Sequence, residues 1–77
     1  MNNVRDTVFI KAFGENLRKL RKEKQLSQEE LSYKADIPIN QIGRIERGEV
    51  NTTISTISVI ARALEVHQME LLRFEVD

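Results

Sequence analysis

The chain has 77 residues, with 12 Lys/Arg against 12 Asp/Glu, one histidine and no cysteine. That length holds one small domain, whose core supplies limited stability unless its helices are well formed or a second subunit adds buried surface. Without cysteine there are no disulfides or thiolate metal sites, and with His67 as the only histidine a structural zinc site is excluded, so no metal or cofactor is expected.

The neutral total hides an uneven distribution. Residues 1–26 carry seven basic and three acidic side chains, residues 27–50 three and five, and residues 51–77 two and four. A basic block in a neutral chain suits nucleic acid only if positive charge gathers on one face, because phosphate neutralisation supplies most non-specific affinity. Catalysis is not expected. One histidine, no cysteine and no glycine-rich phosphate loop leave only scattered carboxylates as candidates.

The opening stretch MNNVRDTVFIKAF lacks an apolar run long enough for a signal peptide, and nothing approaches the roughly 20 apolar residues of a membrane span. A cytoplasmic protein is expected. Residues 1–7 read as a flexible arm and 8–77 as a single domain. A first helix from about Val8 to Lys24 places Ile10, Phe13, Leu17 and Leu20 on one face. Arg18, Lys19 and Lys22 fall mostly elsewhere, where a solvated helix face is the plain reading and phosphate contact the sharper one.

The segment LSQEELSYKADIPINQIGRIERG, Leu26 to Gly48, spells two short helices around a tight turn. Ser27 and Glu30 have the spacing of a reciprocal capping box, which starts a helix at Gln28. Leu31 and Ala35 share its inner face. Asp36-Ile37-Pro38 stops it, since proline disfavours the α conformation in the residue before it. Pro38 can open the next helix, where its missing N–H is no loss. Gly48 closes that helix in the left-handed conformation that glycine adopts at little cost.

At 100° per residue, Ile42 and Ile45 of this helix point towards a core, with Gln41 at the margin. Asn40, Gly43 and Arg44 point away, with Ile39 at their edge. An asparagine amide can bond adenine bidentately and an arginine guanine, while isoleucine can pack on a thymine methyl, so Ile39, Asn40 and Arg44 are candidate base readers. Each also has a plainer reading. Asn40 and Arg44 could be solvated outer-face residues, and Ile39 could staple the turn to the preceding helix. Gly43 costs about 1 kcal/mol in a helix interior relative to alanine; it either permits close approach to DNA or is a tolerated surface glycine.

After a loop from Glu49 to Thr52, Thr53 or Ser55 can cap a fourth helix with Ile54, Ile57, Ile60, Ala61 and Leu64 in one stripe. Its β-branched residues weaken helix propensity, so packing has to sustain it. A fifth helix, about Gln68 to Arg73, would bury Met69 and Leu72. The apolar surplus left outside these stripes is Val66, Leu71, Phe74 and Val76. These four are the candidate dimer interface, with packing onto the first helix as the alternative.

The two-helix segment resembles the helix-turn-helix of the phage-repressor and Cro-like family of DNA-binding domains, and the resemblance extends further. LRKLRKEKQLSQEEL resembles the family's basic first helix running into its second, RIERG its recognition-helix ending, and ISTISVIARALEV its fourth helix. Without gaps it runs from Phe13 to about Leu72. It implies an all-α, compact five-helix lambda-repressor-like domain with its motif at about residues 27–47. It further implies a phosphate contact by Gln28 at a helix N-terminus, and an architectural ion pair between Arg21 and Glu46. Ser27, Gln41, Arg47, Asn51 and Thr52 are further candidate phosphate contacts. Three positions depart from the pattern: Asp36 and Glu65 stand where glycine is usual, and Pro38 where a capping hydroxyl is common.

These expectations describe a sequence-specific double-stranded DNA-binding transcriptional regulator, a repressor acting as a homodimer on a pseudo-palindromic operator. The rival is a protein-interaction module on the same fold, such as an antitoxin-like subunit partnered by a toxin, or an adaptor.

Overall fold

The computed structural model describes residues 4–76, and five helices follow one another in it: α1 (Thr7–Glu23), α2 (Gln28–Ala35), α3 (Ile39–Glu46), α4 (Ile54–Leu64) and α5 (Gln68–Leu71). Among the described residues there is no strand, and no helix is long and apolar enough to cross a membrane. The all-α, five-helix expectation holds. Residues 1–3 of the expected arm and Asp77 lie outside the described residues. Within the rest of that arm, the Asp6 carboxylate accepts from the Phe9 N–H at 3.0 Å and starts α1 at Thr7.

Each helix boundary has a local cause. The capping box forms as its spacing predicts: Glu30 N–H donates to Ser27 Oγ at 3.0 Å and Ser27 N–H to Glu30 Oε1 at 2.8 Å. The bond from Ser27 N–H, with a further one from the Ser27 hydroxyl, stabilises the carboxylate and holds the Glu30 pKa below its ordinary value. Thr53, rather than Ser55, caps α4. At their other ends α1, α2, α3 and α4 close through paired six-to-one and five-to-two backbone bonds around Gln25, Asp36, Gly48 and Glu65, all at positive φ. Only one of these four is glycine. Asp36 does adopt the left-handed conformation, at φ 57° and ψ 45°. Pro38 differs from its expected place: it is the residue before α3, with ψ 141°, and supplies no side-chain cap.

The stripes converge on one core of Phe13, Leu17, Leu31, Ala35, Ile42, Ile45, Ile60, Ala61, Leu64 and Leu71. Three assignments need correction. Ile54 is 85% exposed, because it is the first residue of α4, one turn before the covered part of its stripe. α5 is a single turn, and it buries Leu71 completely while Met69 and Leu72 remain exposed. Leu71 is therefore core and is not available to a dimer surface. The turn is oriented by Asn16, a buried amide on α1 whose Nδ2 donates to the carbonyls of Glu70 at 2.8 Å and Leu71 at 2.9 Å. Those carbonyls belong to a helix end with no further turn to receive them.

Two features fix α3 against α1. Gly14 is buried where the helices touch at backbone level: an added Cβ would stand 2.7 Å from the Glu46 carbonyl oxygen and closer still to that of Ile45. Beside it, Arg21 Nε donates to Glu46 Oε2 at 2.6 Å and Nη2 to Oε1 at 3.0 Å, while Nη1 donates to the Leu26 carbonyl at 2.7 Å. Gln28 Nε2 completes the network, donating to Glu46 Oε1 at 2.9 Å. The Arg21 and Glu46 side chains are only 9% and 2% exposed, so this two-pronged pair is desolvated, and each of its nitrogens and carboxylate oxygens has a hydrogen-bond partner. The ion pair expected between these residues is present.

Gly14→Ala has only backbone atoms to push against and is expected to cost about 1–3 kcal/mol, at roughly 4–8 °C of midpoint per kcal/mol in a domain this size; thermal unfolding followed by circular dichroism measures it. Arg21→Met leaves a buried carboxylate without its cation and is expected to cost about 3–5 kcal/mol, whereas Arg21→Met with Glu46→Leu recovers a large part of that loss. Urea unfolding of both variants checks the pair, and additive losses would contradict it.

Candidate nucleic-acid interface

The turn between α2 and α3 places one helix across the other. Asp36 N–H and Ile37 N–H return to the carbonyls of Tyr33 and Ser32, and the Ser32 hydroxyl donates to the Ile37 carbonyl at 2.5 Å. This last fastening carries no simple sequence signal. α3 then divides by face largely as its periodicity predicts. Ile42 and Ile45 are buried, whereas Ile39, Asn40, Gln41 and Arg44 are exposed on the outer side.

Gly43 is the exception on that outer side. It is buried, and an added Cβ would stand 2.9 Å from Arg47 Nη1 and 3.6 Å from Gln28 Oε1. The glycine thus leaves room for the Arg47 guanidinium to lie across α3 beside Gln28, which is neither of the roles read from its position in the sequence. Gln28 itself is half-buried. One of its amide hydrogens is committed to Glu46.

Asn40, Gln41 and Arg44 line an open cleft of about 360 Å³ whose other wall is the α3–α4 loop and the start of α4, with Asn51, Thr53 and Thr56. The lining is mixed, with Pro38, Ile45 and Val50 among hydrogen-bonding side chains on both walls, and those side chains are of the kind that bond a sugar-phosphate strand. Asn51 is exposed here, with its Nδ2 making a long 3.5 Å contact to the Val4 carbonyl. Thr52 departs from expectation. Its hydroxyl is buried with no bonding partner among the described residues, so its side chain does not present the oxygen expected to meet a phosphate. Ser27 is engaged in the capping box on both counts, its oxygen accepting from Glu30 N–H and its hydroxyl bonding the Glu30 carboxylate, and it stands exposed at the start of α2.

Charge on this face is mixed. Glu29 and Glu30 occupy the first turn of α2, where they weaken the pull of the helix N-terminus on an anion. Glu49 was not singled out from the sequence, yet it touches both arginines of α3's outer side: Oε2 accepts from Arg47 Nε at 2.7 Å, and Oε1 lies 3.8 Å from Arg44 Nε. The Arg47 hydrogen bond, with the nearby charges of Arg47 and Arg44, holds the Glu49 pKa below its ordinary value. The same bond raises that of Arg47. An acidic residue two places after an arginine at a helix end is a weak signal, easily taken for surface charge.

The described residues contain no cluster able to hold a metal ion. A family model described as helix-turn-helix matches residues 17–67, from within α1 to the residue that caps α5. The control protein C.SmaI of Serratia marcescens is 40% identical over 59 residues, covering 77% of this chain and 70% of that protein. The crystal structure of the restriction-modification controller protein C.AhdI from Aeromonas hydrophila superposes with a TM-score of 0.79 at 37% identity, covering 80% of this chain and 94% of that one. The controller protein C.Esp1396I, solved as a tetramer in complex with its natural 35 base-pair operator, gives a TM-score of 0.80 at 30% identity, covering 86% of this chain and 87% of that one. On the extent of the family match and of these relatives, with the motif formed by α2, the Asp36 turn and α3, the chain belongs to the Cro- and repressor-like helix-turn-helix family.

Proposed function

We propose that the chain is a sequence-specific double-stranded DNA-binding transcriptional regulator, a repressor working in the cytoplasm as a homodimer on a pseudo-palindromic operator. The observation that carries this reading is the division of α3: two isoleucines fully buried, and Ile39, Asn40, Gln41 and Arg44 standing together in solvent. An adaptor gains nothing from that set, whereas a reader needs it. Arg44 and Asn40 bond base edges in the major groove and Ile39 packs on a thymine methyl. Gln28, Ser27, Gln41, Arg47 and Asn51 hold the flanking phosphates and set the register. Relatives named as control or controller proteins support the regulatory role.

The dimer surface follows from what the core leaves out. Phe74 packs on Phe9, with ring centroids 4.9 Å apart, and joins the tail to the start of α1. At the start of α1 and in this end of the chain Phe9, Met69, Leu72 and Val76 are exposed, while Val66 and Phe74 are half-buried against the core. A second copy covering this patch adds the apolar burial that a domain of this length lacks. Two recognition helices about 34 Å apart then enter successive major grooves of one duplex face, so the preferred site has two-fold symmetry.

Selection of duplexes from random DNA at a stated low salt concentration is expected to enrich a palindrome. On that duplex Arg44→Ala loses about 1–3 kcal/mol and relaxes base preference, while Gln28→Ala weakens every duplex by a similar factor. If both variants bind as the parent does, this face is misassigned. Sedimentation is expected to show a dimer for the parent and a monomer for Leu72→Asp, whose exposed position spares the core. A parent that stays monomeric at high concentration without DNA rejects the tail surface.

A further inference from the structure

Gly48 and Glu49 close α3 in a way that brings two side chains together. Gly48 N–H returns to the Ile45 carbonyl at 3.0 Å and Glu49 N–H to the Arg44 carbonyl at 2.9 Å, with Gly48 at φ 74°. In such a turn the residue after the glycine lies over the residue five places earlier, and the pair is commonly a hydrophobic contact. Here it is Glu49 over Arg44. The Glu49 backbone is held from its other side too, since Arg5 Nη2 donates to its carbonyl at 3.2 Å. The carboxylate is therefore placed by the backbone, between Arg44 on one oxygen and Arg47 on the other.

We propose that Glu49 is a positioning residue that raises sequence discrimination by occupying Arg44 and Arg47 in the free protein, so that a duplex has to displace it before these arginines are gripped. The inference rests on the DNA-binding reading given above. A random duplex offers the arginines phosphates alone, and exchanging one anion for another gains little. The preferred duplex adds base edges in the bidentate geometry that suits a guanidinium, which a carboxylate pulled aside can be exchanged for. Glu49 also repels any phosphate that approaches without this exchange, an effect felt by all sequences and offset only on the right one.

The test uses Glu49→Gln, which keeps the side chain's shape and removes its charge, with Glu23→Gln at the exposed end of α1 as a control of equal charge change. Binding of full-length protein to the selected duplex and to a scrambled duplex of equal length is measured across a salt series. Glu49→Gln is expected to tighten the scrambled duplex by about three- to tenfold, as the loss of two exposed pairs allows. Its salt slope should steepen by about one, as one more phosphate is neutralised. The ratio of selected to scrambled affinity falls, and Glu23→Gln leaves ratio and slope unchanged. Scrambled affinity that stays at the parent's value or weakens overturns the inference, as does an equal shift in Glu23→Gln. A parent that discriminates beside a Glu49→Gln that matches it removes only the role of Glu49, whereas a parent with no preference in the selection removes the DNA-binding reading and this inference together.

Discussion

A guanidinium taken out of water has to find acceptors for its nitrogens, and around Arg21 that demand organises the domain. Its three bonding nitrogens reach Glu46 at the end of α3 and the Leu26 carbonyl in the α1–α2 turn. Glu46 in turn holds Gln28 at the start of α2. One charge on α1 thereby sets the end of α3, the entry into α2 and a side chain at the edge of the proposed DNA face. The pair's net contribution to stability is small compared with the cost of losing either member, since burial of one unpaired charge is what the arrangement avoids. Its value lies in excluding other angles between α1 and α3, at which this charge would be left without its partners.

The neutral composition takes on meaning at the same place. A strongly basic domain would adhere to any duplex, because the phosphate term is blind to sequence. In this chain carboxylates accompany the cations: Glu29 and Glu30 open α2, and Glu49 lies between Arg44 and Arg47. On the proposed reading, affinity depends more heavily on base contacts, and the zero total charge fits a binder with little general adhesion.

Much of this was legible because it is local. The capping box, the Asp36 stop, the Gly48 close and the two isoleucines of α3 depend on residues within one or two turns of each other, where spacing alone decides geometry. The buried face of α5 is not legible in the sequence, because adjacent Leu71 and Leu72 cannot both face inward and in a single turn periodicity has too few residues to choose. The choice is made by Asn16, 54 and 55 residues away from the carbonyls it bonds. Gly14 carries no local signal for the same reason: its missing side chain matters only to the backbone of a helix some thirty residues later. Gly43, Glu49 and the buried Thr52 hydroxyl likewise take their roles from neighbours that the folded loop delivers. Pairing of Arg21 with Glu46 was foreseen only through family resemblance, since nothing in the spacing of two charges 25 residues apart announces it.

Three of the four left-handed helix ends are held by Gln25, Asp36 and Glu65, residues with a Cβ where glycine would carry none. Each such turn keeps a steric penalty on the order of 1 kcal/mol that glycine would relieve. Gln25 and Glu65 are not part of α3 or of the turn that leads into it. The domain therefore has unclaimed stability at positions independent of its reading surface. A lineage exploring a new operator through destabilising changes on α3 has compensating substitutions at hand that leave the reader's chemistry untouched, so the fold's imperfect turns are also its room for evolutionary drift.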